Sequence, residues 1–211
     1  MLRFVLYCFV KLFVFQSPPH VERLAKMKEI TCKIVGVTPL MMYKYIHGYA
    51  TPKVVEDVRA ECAKRLHVAS NGDLKEDTVV VPQEAIFRTV MNGGKFEKLG
   101  KKQVTTEKSS LLPGYVMFPG VEYKLTYSSW EADMRPAVTS RGDRVPVYRP
   151  RFDQWSVTFP IHILYPETFG EDLLRRVIDH AGQKIGLLSF RPERKGGFGM
   201  FRVDEWKSVK G

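Results

Sequence analysis

From residue 28 onward, hydrophobic and polar residues alternate in short runs. Ile30, Cys32 and Ile34, followed by Val37, lie among polar residues at a spacing near two, which predicts a half-buried first strand ending at Gly36. Further runs rich in β-branched and aromatic residues predict strands at 78–81, 112–118, 121–127, 155–165 and 201–206. Short strands separated by loops are therefore expected along much of the chain.

Three segments place apolar residues at helical spacing instead. The first helix is expected to begin at Thr51-Pro52, because a threonine N-cap followed by proline in the first turn favours a helix start. The second, 81–91, should end at the glycines of 92–94, and the third covers 171–183. The positions expected to face inward are Val54, Val55, Val58, Cys62, Leu66, Ala85, Ile86, Phe87, Val90, Leu173, Leu174, Val177, Ile178 and Ala181.

Without its loops, the chain reads as strand, helix, strand, strand, helix, strand. This order predicts an α+β, ferredoxin-like (RRM-like) fold, in which a split βαβ antiparallel sheet is covered by two helices. RNA-recognition domains have the same layout and read single-stranded bases on the open face of the sheet. We expect one such domain at 27–211, with large insertions at about 41–78, 95–112 and 128–151.

Residues 1–26 carry an apolar run that this pattern does not include. The run is too short for a transmembrane helix and lacks the small-residue cleavage site of a signal peptide. It is either a mis-assigned start, with Met27 as the first residue, or an arm that packs on a neighbouring subunit. We favour the mis-assigned start, because an exposed run of this kind promotes aggregation.

The composition favours an anionic partner. The 211 residues carry a net charge of +10, with a sequence pI near 9.5, and 44% of them are hydrophobic, enough for a sizeable core. Such a charge favours a nucleic acid, an anionic membrane or an acidic protein, and it does not determine the fold. With little else pointing to a membrane, we expect a nucleic-acid partner.

The cysteines and the missing motifs narrow the chemistry. Cys8, Cys32 and Cys62 form no CxxC pair and have no zinc-binding spacing, so we expect reduced thiols in a cytoplasmic protein. There is no P-loop, no nucleophile elbow and no dinucleotide fingerprint followed by a helix. We therefore expect no cofactor and no metal.

An aromatic, methionine-rich segment follows the first strand. Leu40 and Met41 are expected to be tucked onto the core as part of a loop. The polar and aromatic residues after them are more plausibly exposed and able to contact a ligand: Tyr43, Lys44, Tyr45 and His47.

Two of the insertions are basic. The lysines of 95–110 show little periodicity, so a mobile loop is expected, with a solvated face and a ligand contact equally open. A second polar loop is expected at 128–151, and its arginines are Arg135, Arg141, Arg144, Arg149 and Arg151.

The glycine-rich segment 185–203 is the most distinctive part of the chain. Gly186, Gly196, Gly197 and Gly199 are expected to allow positive φ and the close approach of another backbone. Cations and phenylalanines lie among these glycines, which suits a polyanion that carries flat bases. A β-turn with solvated charges is an equally open interpretation. The cations are Arg191, Arg194, Lys195 and Arg202, and the rings are Phe190, Phe198 and Phe201.

Two motifs resemble the RAMP (repeat-associated mysterious protein) superfamily of CRISPR systems. One is the basic glycine-rich loop between the second core helix and the last strand, Gly186 to Gly199 here. The other is the sequence Val-Pro-Gln-Glu-Ala-Ile-Phe-Arg at 81–88, which resembles the start of that family's first core helix. The chain looks most like a backbone subunit of CRISPR effector complexes, or a viral or mobile-element relative.

This resemblance implies a non-catalytic subunit that binds single-stranded guide RNA and forms head-to-tail assemblies. The implied partners are RNA, or single-stranded DNA, together with copies of the chain and other effector-complex subunits. Lysines and arginines would neutralise phosphates, and the two basic insertions would act as arms along the strand. The residues expected to contact the strand are Arg88, Lys95, Lys98, Lys101, Lys102, Arg141, Arg144, Arg149, Arg191, Arg194, Lys195, Gly196, Gly197 and Phe198.

Two alternatives stay open at this point. The chain would be an enzyme if it were a metal-independent RAMP-type endoribonuclease, with His47 as the candidate general base. Alternatively, the chain would be neither a guide-RNA subunit nor an enzyme, but a single-strand-binding or assembly protein of a virus or mobile element.

Overall fold

A computed structural model describes residues 27–70, 72, 74–138 and 141–208. The apolar run at 1–26 lies outside the described residues. The strands are β1 (Lys28–Gly36), β2 (Leu40–Met41), β3 (Val80–Pro82), β4 (Lys98–Leu99), β5 (Lys102–Gln103), β6 (Val116–Met117), β7 (Glu122–Tyr127), β8 (Glu131–Val138), β9 (Arg144–Phe152), β10 (Trp155–Ile163) and β11 (Phe201–Ser208). The α-helices are α1 (Val58–Ala63), α2 (Gln83–Gly93), α3 (Leu112–Tyr115) and α4 (Glu171–His180).

The main sheet has the strand order β11-β1-β10-β7-β3, and β6 pairs with the far end of β10. Every neighbouring pair is antiparallel, as in the pairing of Ile30 with Ile161 and of Ile34 with Val157. A bulge between Lys33 and Ile34 shifts the register of β1 against β11. The fold is therefore mixed α+β with antiparallel sheets, as the sequence predicted at that level.

The core lies on one face of this sheet. Ile30, Cys32 and Ile34 are fully buried there, which confirms the first strand, and burial raises the pKa of the Cys32 thiol to about 12. Helices α2 and α4 bury their apolar positions in the same cluster, as their spacing predicted. Val37 was expected to continue the alternation but lies beyond the strand and is 59% exposed.

Helices α2 and α4 come unusually close at Gly93. A Cβ atom at this position would lie 2.3 Å from the carbonyl oxygen of Val177 and 2.8 Å from the Cβ of Ala181. The backbone of Gly93 and of Gly94 is right-handed, so these glycines do not end α2 through a left-handed cap. The predicted helix end is correct, but Gly93 serves the close packing against α4 and not a left-handed cap.

The first predicted helix was placed wrongly. Helix α1 begins only after Asp57, whose Oδ1 accepts a hydrogen bond from the backbone N–H of Ala60 at 3.0 Å. The hydroxyl of Thr51, the predicted cap, instead accepts a hydrogen bond from Arg65 Nη2 at 2.8 Å. Val54, predicted to face inward, is 86% exposed.

Three predicted loops or strands also differ. The predicted strand at 112–118 is the short helix α3 followed by the two residues of β6, with proline in the first turn of the helix. The predicted loops contain hairpins, β4–β5 in the insertion 95–112 and the long β8–β9 in the insertion 128–151. In 131–138 and 144–152, the three prolines lie on the same face as Tyr148 and Phe152, and arginines separate the apolar residues. Prolines are rare inside strands, so the sequence reads as a loop.

A second sheet joins the long hairpin to the core. Its order is β2-β9-β8, with Leu40 opposite Phe152 and Met41 opposite Arg151. Leu40 and Met41 are fully buried, which confirms that they are tucked onto the core, although in a strand. The base of the hairpin is therefore fixed close to the segment that follows β1.

We predict that replacing Gly93 by alanine destabilises the fold by about 1–3 kcal/mol, because its methyl group overlaps backbone atoms that cannot move aside. Chemical denaturation measures the loss. Gly114→Ala is the matched control, since a Cβ there meets nothing within 4 Å. Equal stability of Gly93→Ala and wild type would show that the helices have room to separate.

Candidate nucleic-acid interface

Backbone hydrogen bonds tie the glycine-rich loop, residues 186–200, to the segment after β1. The Ser189 N–H donates to the Met41 carbonyl at 3.0 Å, and the Gly199 N–H donates to the Pro39 carbonyl at 2.8 Å. Within the loop, the Leu187 N–H donates to the Gly199 carbonyl at 2.8 Å. These hydrogen bonds fix the backbone of the loop, so its side chains have defined positions.

Only part of the predicted glycine geometry is correct. Gly186 and Gly199 have positive φ, at 76° and 72°, as expected. Gly196 and Gly197 do not; a Cβ at Gly196 would lie 1.8 Å from the Phe190 carbonyl oxygen, whereas Gly197 is open. In the turn just before Gly196, the residue with left-handed backbone is Lys195, with φ 60°.

An open pocket of about 520 Å³ lies between the start of helix α2 and this loop. Arg88, from the motif at 81–88, lines it together with Arg191 and Arg194 of the loop. Two motifs that are about a hundred residues apart in sequence thus contribute cations to one cavity. The other lining residues are Tyr43, His67, Pro82, Glu84, Ala85, Leu188 and Ser189.

Each of two pocket arginines has an acidic neighbour. Arg191 donates from Nη2 and Nε to Glu193 Oε2, at 2.7 and 3.2 Å, and from Nη1 to the Leu188 carbonyl at 2.8 Å. Arg88 pairs with Glu84 at 2.5 Å, and both of these side chains are well exposed. Exposed pairs of this kind contribute at most about 1 kcal/mol, so a phosphate can replace the carboxylate.

Beside the pocket, arginines and aromatic rings follow one another. The Cζ atom of Arg149 lies 5.7 Å from the ring centroids of both Tyr43 and Phe190. Phe190 faces Phe198 at 5.7 Å between centroids, and Arg135 lies over Phe198 at 4.9 Å. We call these five residues the arginine–aromatic row, and it connects the long hairpin with the glycine-rich loop.

The row also reaches the pocket. Arg149 Nε donates to Ser189 Oγ at 3.0 Å, and burial lowers the pKa of Arg149, although a guanidinium stays charged at neutral pH. Phe190 keeps 39% of its surface exposed. An exposed ring among guanidinium groups is the kind of surface on which an unpaired base stacks.

A buried arginine holds Tyr43 at the pocket. Arg65 is 1% exposed and lies over the rings of Tyr43, at 4.6 Å, and Tyr49, at 5.0 Å. It also donates to the Lys44 carbonyl, and its Nη2 lies 3.8 Å from the buried carboxylate of Glu61. These contacts hold the segment 43–49 and helix α1 together beside the pocket.

The other predicted contact residues are distributed less compactly. Lys195, Gly196, Gly197 and Phe198 belong to the loop but do not line the pocket, and Lys95 lies 3.7 Å from Glu193. Lys98, Lys101 and Lys102 are exposed on the small hairpin β4–β5. Arg144 lies at the far end of β8–β9 and Arg141 in the turn beyond, about 15 Å or more along the strands from Arg149.

The histidine that lines the pocket is not the predicted one. His47 lies in an exposed turn before Gly48 and is not part of the lining. His67 lines the pocket, and burial, with a smaller contribution from Lys44, lowers its pKa. No local motif marks His67; the bridge between Val68 and Val79 brings it beside β3.

The open face of the main sheet differs from that of an RNA-recognition domain, where aromatic side chains stack on bases. On the four long strands as described, the outward positions hold no Phe, Tyr or Trp. Lys33 on this face is held by Asp204 and Glu205, at 3.1 and 3.0 Å. The outward residues are Glu29, Thr31, Lys33, Val35, Glu122, Lys124, Thr126, Ser156, Thr158, Pro160, His162, Arg202, Asp204, Glu205 and Lys207.

We predict that Glu193→Gln strengthens the binding of single-stranded RNA by up to about fivefold, because it frees Arg191 and Lys95 from their acidic neighbour. Fluorescence anisotropy with a labelled oligouridine measures the affinity. The matched control is Glu205→Gln, which removes the same charge beside Lys33 on the open sheet face. An equal gain in both variants would mean that net charge alone acts.

Comparisons with known proteins give distant structural similarity. No protein-family model and no curated protein matches the sequence. A chain of the Type III-B Cmr-beta complex bound to cognate target RNA is similar at 15% identity and a TM-score of 0.48; the match covers 90% of this chain and 63% of that one. A chain of a CRISPR RNA-guided surveillance complex is similar at 12% identity and a TM-score of 0.36, covering 84% and 68%.

At these identities and TM-scores, the similarity does not by itself assign a family, and the chain spans less than two thirds of the Cmr-beta chain. Among the described residues, no helix is long and apolar enough to cross a bilayer. The geometry of the pocket and of the arginine–aromatic row therefore carries the functional argument.

Proposed function

We propose that this chain is a non-catalytic subunit that binds single-stranded RNA, built on the ferredoxin-like, RRM-like fold of the RAMP superfamily. In this proposal it works in a cytoplasmic ribonucleoprotein, beside copies of itself or other effector-complex subunits. The pocket and the arginine–aromatic row are the binding surface.

The strand order supports the fold proposal. Strands β11, β1, β10 and β7 lie side by side, with α2 between β1 and β7 in the chain and α4 between β10 and β11. In a split βαβ arrangement the fourth, first, third and second core strands lie in this order. The remaining strands then belong to insertions.

One observation carries the binding proposal: Arg88, Arg191 and Arg194 line the same open pocket, next to the partly exposed Phe190. Guanidinium groups bind phosphate oxygens with paired, charge-assisted hydrogen bonds, and phenylalanine rings stack on unpaired bases. A phosphate backbone with flat bases is the ligand class that needs both groups side by side. The net charge of +10 favours the same class.

The surface also explains how a strand would run. Phosphates would replace Glu84 and Glu193 as partners of Arg88 and Arg191, while bases lean on the row. From the row, the hairpin β8–β9 extends outward with Arg144 near its end. An arm of this length can follow the strand or reach a neighbouring subunit, which is compatible with a head-to-tail assembly.

The alternatives differ in what they predict for nucleic acid. The endoribonuclease alternative rests on His47, which is exposed and outside the pocket lining, so the pocket gives it no support. A viral or mobile-element assembly protein would co-purify with mixed nucleic acid, whereas a guide-binding subunit would carry a uniform RNA. Sequencing the co-purified nucleic acid separates these two.

We predict that replacing Arg88, Arg191 and Arg194 together by alanine weakens binding of single-stranded RNA at least about tenfold. It should also reduce the slope of log affinity against log salt by about 2, since each lost phosphate contact on a single strand accounts for about 0.7. Anisotropy titrations over a range of salt concentrations give both quantities.

The matched control removes three cations from the other side of the main sheet and its edge strand: Lys124, Arg202 and Lys207, all exposed. Its affinity and salt slope should change much less. Equal losses in the two triple variants would contradict a defined binding surface at the pocket.

A further inference from the structure

The pocket is larger and more varied than a phosphate site requires. Its volume of about 520 Å³ lies within the range of cavities that hold small organic ligands, about 300–1,000 Å³. Beside the three arginines it presents an apolar wall of Pro82 and Leu188. A nucleotide, with its phosphate at the arginines and its base against that wall, uses both parts.

A carboxylate lines the same cavity. Glu84 Oε1 lies 2.5 Å from Arg88 Nη2, and the side chain of Glu84 is 68% exposed. A site for phosphate alone gains nothing from a carboxylate once phosphate is bound, because like charges repel. If a phosphate takes Arg88, the Glu84 carboxylate loses its partner and can accept hydrogen bonds from another part of the same nucleotide.

Two further groups complete the polar lining. Ser189 Oγ already accepts a hydrogen bond from Arg149 Nε at 3.0 Å, so its own O–H is free to donate into the cavity. His67 has a lowered pKa, so its imidazole is neutral at pH 7 and can accept or donate a hydrogen bond. The cavity therefore presents a two-oxygen acceptor and a hydroxyl donor.

Among the four RNA bases, guanine matches this set. Its N1–H and N2–H₂ groups are adjacent, parallel donors that fit the two oxygens of a carboxylate, and its O6 accepts a hydrogen bond. Adenine and cytosine present one amino donor beside an acceptor nitrogen, which would face the carboxylate unfavourably. Uracil offers a single N–H between two carbonyl oxygens.

We propose that this pocket selects one unpaired guanine of the bound strand, with Glu84 accepting from its Watson–Crick edge and Arg88, Arg191 or Arg194 holding its phosphate. This inference rests on the proposed function, because it concerns the same strand. It adds that the subunit prefers certain sequences, which binding to phosphates and stacking alone would not produce.

The experiment compares labelled oligouridines of about 12 nucleotides that carry one central G, A, C or no substitution. A single guanine avoids quadruplex formation. Full-length protein should bind the guanine strand at least about fivefold more tightly than plain oligouridine, the smaller end of what a bidentate base contact gives. Adenine and cytosine should give smaller gains.

Glu84→Gln tests the residue. Its affinity for plain oligouridine should rise, because Arg88 is released from its acidic partner. The ratio between the affinities for the guanine strand and for plain oligouridine should fall to near one. Glu167→Gln is the matched control: it removes an exposed carboxylate from the loop between β10 and α4 and should keep the wild-type ratio.

Three results would overturn the inference. Equal binding of all four strands by wild-type protein would contradict the selection of guanine but would still support the proposed RNA-binding function. A guanine preference that persists in Glu84→Gln would remove the role of Glu84. Failure to bind any of the strands would remove the proposed function as well, and so the inference with it.

Discussion

The candidate site depends on a small set of backbone hydrogen bonds between the glycine-rich loop and the segment after β1. Ser189 and Gly199 donate to the carbonyls of Met41 and Pro39. Within the loop, a Cβ at Gly199 would lie 2.2 Å from the carbonyl oxygen of Leu187, so this position requires glycine. Backbone hydrogen bonds, and not only side-chain contacts, hold the loop in place. Arg191 and Arg194 therefore face the start of helix α2 across the pocket. Arg88 on that helix then completes the cavity.

The cations of the site are partly balanced in the unbound protein. Glu84, Glu193 and Asp133 neutralise Arg88, Arg191 and Arg135, which limits repulsion among closely spaced guanidinium groups. The exposed pair of Arg88 and Glu84 is weak, and phosphates compete with carboxylates for the donors of all three arginines. These three carboxylates also weaken the binding of any anion that cannot contact several of the arginines at once. A strand with regularly spaced phosphates can do so, and small anions cannot.

Much of the core was predictable from the sequence because the signal is local. Strands β1, β7, β10 and β11 alternate their apolar residues, and α2 and α4 show clear helical spacing, so each element reveals which face is buried. Through the family resemblance, Arg88 and Arg191 were each expected to contact the strand, but their convergence was not predicted. The pocket itself could be recognised only in the folded structure, because its lining residues are far apart in the sequence.

What the sequence did not reveal depends on partners far along the chain. The helix start at Thr51 failed because Arg65 occupies that hydroxyl, and His67 reaches the pocket through its neighbour's pairing with Val79. Hairpin β8–β9 escaped prediction because charged residues and prolines interrupt its apolar positions. The described outward positions of the main sheet hold no Phe, Tyr or Trp, whereas aromatic rings lie beside arginines next to the glycine-rich loop.

The most direct measurement is photo-cross-linking of a single-stranded RNA that carries photoreactive uridines, followed by mass spectrometry of the cross-linked peptides. Cross-links are predicted at Tyr43, Phe190 and Phe198, on the arginine–aromatic row. Cross-links confined to the open sheet face, around Lys124, Thr158 and Arg202, would contradict the binding surface described here.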